Sequence, residues 1–351
     1  MAEGTRPRTP TRASLFPVGL VAAMTLGLVA AEDVRGQQLQ LSPQLQTNMR
    51  FLHVGLTGGR VTATSSYSGR SFSSTSQSKD RQESLKVDMN GTAPSVDYQL
   101  TTDGFKVSVQ LTAGNELHVR REPKEGGTVK AFELHQPPEG QVSVILGPEN
   151  TKFEAASLWH LLLDQPDLAK NELEPMLRLL RPGWPLVSQA RAVEEALYKQ
   201  VDASAKFDRN AWGAMVSQLG SDKYLEREEA DRKLRELGQS IVPYLKNLSP
   251  SQLDAEQLYR IRAIARQYET EENEDNADTA AGWLSADPEI WYILVRRADA
   301  QQRVLARMQL ERILGEPVEF DPAASGEALQ SQLKRLREQI DRRTQADSGG
   351  R

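Results

Sequence analysis

Between Arg60 and Gly147 the large apolar residues recur at every second position, which restricts the segment to strands with one buried and one wet face. Leu85, Val87 and Met89 form one run, Val96, Tyr98 and Leu100 a second, and Phe105, Val107, Val109 and Leu111 a third. Leu117 with Val119, and Val142 with Val144 and Leu146, extend the series. Asn90-Gly91, Asp103-Gly104, Gly114-Asn115, Gly126-Gly127 and Glu139-Gly140 separate the runs, and such pairs reach the positive φ of tight hairpins. Links this short join antiparallel neighbours, so the segment predicts a meander of about six to eight strands. The serine-rich stretch from Thr62 to Lys79 has only Tyr67 and Phe72 as large apolar residues. It can be read as an aromatic platform for a glycan or other ligand, or as an edge hairpin kept polar against pairing with other chains, and the edge is preferred. Asn90-Gly91-Thr92 fits a glycosylation sequon, but a hairpin turn accounts for the same residues.

From Lys152 the period changes to 3.6. Phe153, Ala156, Trp159 and Leu163, then Leu173, Met176, Leu177 and Leu180, predict two helices broken around Gln165-Pro166. Arg181-Pro182-Gly183-Trp184-Pro185 stops the pattern, and Pro185 to Val201 predicts a third helix with Val187, Ala190, Val193 and Leu197 inward. Near the end, Ser285 and Asp287-Pro288 open a helix, Ala300 to Leu314 forms another that stops at Gly315, and Phe320-Asp321-Pro322 is a turn. Leu329, Leu333, Leu336 and Ile340 make a heptad seam on the last helix. That seam is too short for a coiled coil, so docking against the other helices is preferred to a dimer contact. Arg335, Arg337, Arg342 and Arg343 are expected only to solvate its other faces.

Residues Leu219 to Gln267 carry the most specific pattern. Ser221 and Asp222 are N-cap types ahead of a stripe made by Tyr224, Ala230, Leu234 and Leu237. Gly238 suits the left-handed C′ position, Pro243 can open a second short helix, and Leu253, Leu258, Ile261 and Ile264 supply a third apolar run. With Leu219-Gly220-Ser221-Asp222, Arg227-Glu228, Leu237-Gly238 and Val242-Pro243, the stretch resembles a degenerate bacterial HEAT-like repeat of about 40 to 47 residues. The resemblance implies a packing scaffold whose surfaces bind partners, with no catalytic residues to transfer.

The first thirty-one residues form a separate object. Arg6, Arg8 and Arg12 precede an uncharged apolar run from Leu15 to Ala31, and Val29-Ala30-Ala31 offers the small residues that a signal peptidase reads. Cleavage near Ala31 is expected; the alternative is an uncleaved anchor, which Pro17, Gly19 and Gly27 weaken. Removing Glu3 and the three arginines subtracts a net +2 from the chain's −5 and leaves −7. A net negative chain is a poor partner for nucleic acid, which is bound chiefly through clustered Lys and Arg. With no cysteine, the chain has no disulfide, thiolate nucleophile, Cys-ligated metal or lipid-anchored N-terminus.

Tests for chemistry find little. There is no G-x-S-x-G elbow, and Gly55-Leu-Thr-Gly58-Gly59 lacks the Lys-Ser/Thr of a phosphate loop. The histidines, His53, His118, His135 and His160, have no metal-ligand spacing, and His160 is expected to be a satisfied residue on a helix surface. Glu269 to Asp278 concentrates carboxylates without the spacing of a calcium loop and is read as an acidic solvated linker.

The sequence therefore predicts an α+β chain. Its parts are a signal peptide at 1–31, a polar linker at 32–49, an antiparallel meander at 50–150, a helical domain at 151–344 and a disordered tail at 345–351. The expected function is that of an exported, periplasmic or secreted, non-catalytic scaffold without cofactor or metal, and without membrane-spanning segments once mature. It would bind a protein partner through its helical domain, with Arg227 and Glu228 as the candidate surface. The alternative is a module for polysaccharide or another envelope polymer, using Tyr67, Phe72 and Tyr98 on the meander face. A hydrolase without a recognisable motif ranks below both.

Overall fold

A computed structural model describes residues 39–66, 69–89, 93–203, 209–246, 248, 253–269 and 275–349. The expected signal peptide, Tyr67 and the Asn90-Gly91-Thr92 turn lie outside the described residues. Two compact units are separated, Met1–Gln40 and Leu41–Arg351, and everything below concerns the second.

This unit is α+β, with antiparallel strands first and helices after them. A short helix α1 (Pro43–Met49) leads into a hairpin of β1 (Leu52–Thr57) and β2 (Arg60–Ser65). Eight strands then follow in strict order as a meander. They are β3 (Ser71–Gln77), β4 (Arg81–Asp88), β5 (Ser95–Thr102), β6 (Phe105–Thr112), β7 (Glu116–Pro123), β8 (Phe132–Gln136), β9 (Val142–Leu146) and β10 (Thr151–Ala155). The expected alternation holds in β4 to β7 and β9, where Leu85, Val87, Val96, Leu100, Val107, Val109, Leu117, Val119, Val142 and Val144 are buried on one face. β3 lies at one edge with its serines exposed, as an edge kept polar against further pairing requires.

Three features correct the sequence reading. Leu41, Leu45 and Met49 are buried, so the end of the stretch expected as a polar linker belongs to the folded unit. The spacing of four puts Leu45 and Met49 on one face of α1, with Leu41 just ahead of the helix, while Gln44 and Gln46 stay outside. Phe153 belongs to β10, paired opposite Val144, and not to a helix beginning at Lys152. Asn150 at φ 52 turns the chain back after β9, and extended Ser157 delays the next helix to Leu158. Tyr98 is buried with its hydroxyl 2.8 Å from Glu83 Oε1, which removes it from any exposed aromatic platform.

The hairpin and α1 lie on the apolar face of the large sheet and are tied to it by polar side chains from that same face. Gln136 accepts the Val61 N–H at 2.8 Å and donates to the Val61 carbonyl at 2.9 Å, acting as a one-residue strand partner. Glu83 accepts the Ser42 N–H at 3.3 Å, and Arg121 pairs with Glu172 of the helical region at 2.7 Å. Burial disfavours the Glu83 carboxylate, but hydrogen bonds from Arg81 and Tyr98 outweigh it and hold the carboxyl below its ordinary value.

The helical region begins with α2 (Leu158–Asp164), then α3 (Pro166–Leu168), a π-turn at Ala169–Leu173 and α4 (Glu174–Leu177). The π-turn precedes Pro175, whose nitrogen cannot donate and whose ring crowds the turn before it. Next come α5 (Leu186–Ala203), α6 (Arg209–Gln218), α7 (Tyr224–Glu236), a 3-10 turn (Gly238–Ile241), α8 (Val242–Lys246) and α9 (Ala255–Glu269). The chain ends with α10 (Ala277–Leu284), α11 (Pro288–Arg297), α12 (Ala300–Leu314) and α13 (Gly326–Gly349). Two of these match their sequence signals closely: Asp287 caps α11 ahead of Pro288, and Gly315 at φ 69 ends α12. Leu333, Leu336 and Ile340 of α13 are buried within the chain, so the heptad seam docks internally. Arg337 does more than solvate, since it pairs with Glu289 and Asp341 and lies over the Tyr292 ring. The helix continues to Gly349 through most of the expected tail, and residues 350–351 lie outside the described ones. Among the described residues no helix is long and apolar enough to cross a membrane.

Candidate functional site

Chemistry-bearing groups converge where α2 meets the N-terminus of α11. Ser157, in extended conformation, is the N-cap position of α2, and its hydroxyl lies 2.8 Å from His160 Nδ1. His160 Nε2 is 3.1 Å from Asp287 Oδ2, while Asp287 Oδ1 accepts the Glu289 N–H that opens α11. A carboxylate only accepts, so His160 Nε2 donates to Asp287, which leaves Nδ1 facing the serine hydroxyl. Serine, histidine and aspartate thus form the hydrogen-bonded order that could activate a nucleophile.

Both the serine and the histidine are deeply buried. Ser157 is 3% exposed and His160 2%. The turn of the β1–β2 hairpin closes over the serine: a Cβ built on Gly59 would lie 2.6 Å from both Ser157 Cβ and Oγ. The Gly59 carbonyl also accepts the Leu158 N–H at 2.8 Å. In this arrangement the three residues act as a polar lock joining the hairpin, α2 and α11, and His160 and Asp287 also line the neighbouring cleft. His160 is satisfied as expected, but it is buried and not on a helix surface. Its partner Asp287 lies 127 residues away, a separation that no local spacing reveals.

On the solvent side of this lock is a cleft of about 570 Å³, walled by β10, α2, α11 and α13. Its apolar lining includes Phe153, Leu161, Pro288, Ile293 and Ile340. Arg296 reaches across it to Asp164, and burial together with Arg297 and Arg337 lowers the pKa of the Arg296 guanidinium. The sequence reading missed this cleft because its walls come from four separate elements. Among the described residues no group of three or more His, Asp or Glu is placed to hold a metal ion.

The second notable surface is the hairpin containing α7 and α9. Its inner side is built as the sequence pattern requires, with Ala230, Leu234, Ile261 and Ile264 buried together with Trp212 and Tyr244. Gly238 sits at φ 69. The outer side differs from expectation. Tyr224 is 61% exposed, outside the stripe assigned to it, and neighbouring Leu225 is 79% exposed. Tyr259 of α9 is 71% exposed. Capping differs too: Ser221 receives the Lys223 N–H at 3.2 Å and donates to Glu226, so it organises the turn ahead of the helix.

Arg227 and Glu228 stand beside this apolar group. Arg227 donates to the Ser221 carbonyl at 2.6 Å and lies over the Tyr224 ring, and Glu228 pairs with Arg260 of α9 at 2.9 Å. Both therefore brace the hairpin as well as border its surface. Phe72 is far away in the sequence, half-buried on edge strand β3 opposite Val87, and Tyr67 lies outside the described residues. The acidic stretch is partly anchored: Asp275 forms a two-point pair with Arg181 at 2.7 and 2.8 Å, and Asn276 caps α10. Comparison with family models, curated proteins and solved structures returns no match.

Proposed function

We propose that this chain is an exported, non-catalytic interaction protein of the bacterial envelope that binds a protein partner through the α7–α9 hairpin. The observation that carries this reading is the placement of Tyr224, Leu225 and Tyr259. Among the described residues the exposed large hydrophobics are these three and Val304, and three of the four fall on one hairpin. Large apolar groups left in water on adjoining elements are the usual mark of a protein contact, with tyrosine favoured because its ring is apolar and its tip polar. Arg227, Glu228, Glu256 and Arg260 surround them with a charged rim, which is the composition of an interface edge. The resemblance of the stretch to a HEAT-like unit and the signal-peptide pattern of residues 1–31 support the same reading.

A photo-crosslinking residue placed at Leu225 in the producing cell tests it. One discrete protein adduct is expected, lost when Tyr224→Ala and Tyr259→Ala are added, while the same probe at Val304 gives none. Equal, diffuse labelling at both positions overturns the proposal. N-terminal sequencing of the protein recovered from the same cells should begin near Glu32.

A further inference from the structure

The cleft beside β10 has a property that the α7–α9 surface lacks. β10 is the last strand of the sheet, and among the described residues β9 is its one neighbour in it. Phe153, Glu154 and Ala155 of β10 line the cleft, with Ala156 just beyond the strand. Side chains of consecutive strand residues point to opposite faces, so a cavity that touches all of them approaches the strand from its edge. An edge strand presents there the backbone N–H and C=O groups that its single sheet neighbour does not use.

We infer that this cleft binds a segment of a partner protein as an added strand on β10, and that the segment is basic and alternates with apolar residues. Backbone pairing accounts for the extended form: β10 runs about 17 Å at about 3.3 Å per residue, and its last three residues, Phe153 to Ala155, face the cleft. Charge accounts for the basic residues. Five carboxylates line the cleft against the guanidiniums of Arg296 and Arg337, a balance of −3. Both cations are already engaged, Arg296 by Asp164 and Arg337 by Glu289 and Asp341. Glu154 is left with Lys152, an exposed pair on the same strand that water screens. Apolar side chains of the segment would turn toward Leu161, Ile293 and Ile340. The inference does not depend on the α7–α9 surface.

The test uses the chain without residues 1–31 and a fluorescein-labelled peptide of alternating valine and lysine, about nine residues long so that it overhangs β10. Saturable binding is expected, weakened at least about tenfold when glutamate replaces lysine in the peptide. N-methylation of alternate peptide amides should weaken binding about tenfold in one register and leave it unchanged in the other, because only one set of amides faces β10. Glu154→Lys should also weaken it, and amide exchange should slow within Thr151–Ala155. Absence of binding, equal binding by both N-methylated peptides, or protection at β3 in place of β10 would each overturn the inference.

Discussion

Gln136 meets both backbone groups of Val61 with its side-chain amide, at 2.8 and 2.9 Å, across 75 residues of chain. A buried amide in this role stands in for a strand that the hairpin lacks. Gln136→Leu keeps the volume but leaves the Val61 N–H and carbonyl unsatisfied, which costs about 1 to 3 kcal/mol per buried group. Gln136→Glu removes the donor and adds a buried charge, so it should be the worse of the two. Thermal melts of both variants check this order, and equal melting temperatures to the parent would mean that the hairpin is held by packing alone.

The acid limb of stability should depend on Glu83. Its carboxyl is held below the ordinary value of 4.5, so the folded chain takes up that proton less readily than the unfolded chain. The stabilisation is complete above the unfolded value near 4.5 and disappears as pH falls through the lower folded value. Glu83→Gln should lower the melting temperature at neutral pH and flatten its fall in acid. A variant curve parallel to the parent's would show that other carboxylates govern this limb.

His160→Leu should destabilise by about 1 to 3 kcal/mol, since it strips a buried bond from both Ser157 and Asp287. A fluorophosphonate probe should leave Ser157 unlabelled in the folded chain. Labelling at that serine would mean that the hairpin turn opens and that the lock is a working nucleophile.

In the α7–α9 hairpin, Ala230→Leu should cost about 1 to 3 kcal/mol because Ala230 is fully buried in the packed core of the hairpin. Gly238→Val should also destabilise, and backbone conformation alone is responsible: a Cβ there meets nothing within 4 Å, but φ is 69. Glu228→Ala removes a partly exposed bridge to Arg260 and should cost about 0.2 to 1 kcal/mol. Urea melts rank the three, and a Glu228→Ala loss as large as that of Ala230→Leu would place the charge in the core of the hairpin.

The strands β4 to β7 were legible because their apolar residues repeat at the period of the pleat for whole strands, with glycine turns between them. β8 was not, since Phe132 and Leu134 alone are too short a run to show a period. β1 and α1 were hidden by glycines and glutamines that separate their leucines. Tyr224 fits the helical stripe by spacing and yet is exposed, because α7 begins before the core that covers Ala230 and Leu234. The lock and the cleft were illegible for a further reason: each is assembled from residues more than a hundred positions apart, and periodicity reports only neighbours along the chain.

That separation has a consequence for how the molecule comes into being. Asp164 pairs with Arg296 across 132 positions, the Leu163 carbonyl with Arg297 across 134, and His160 with Asp287 across 127. A chain delivered amino-end first has every strand of its sheet in hand long before those partners emerge. Loop closure over such distances is slow, so the junction between α2 and α11 is completed only after α11 arrives. Order of synthesis therefore does not set order of completion: the last quarter of the chain closes what the first half began, and a product cut short before Asp287 would lack all three of these contacts.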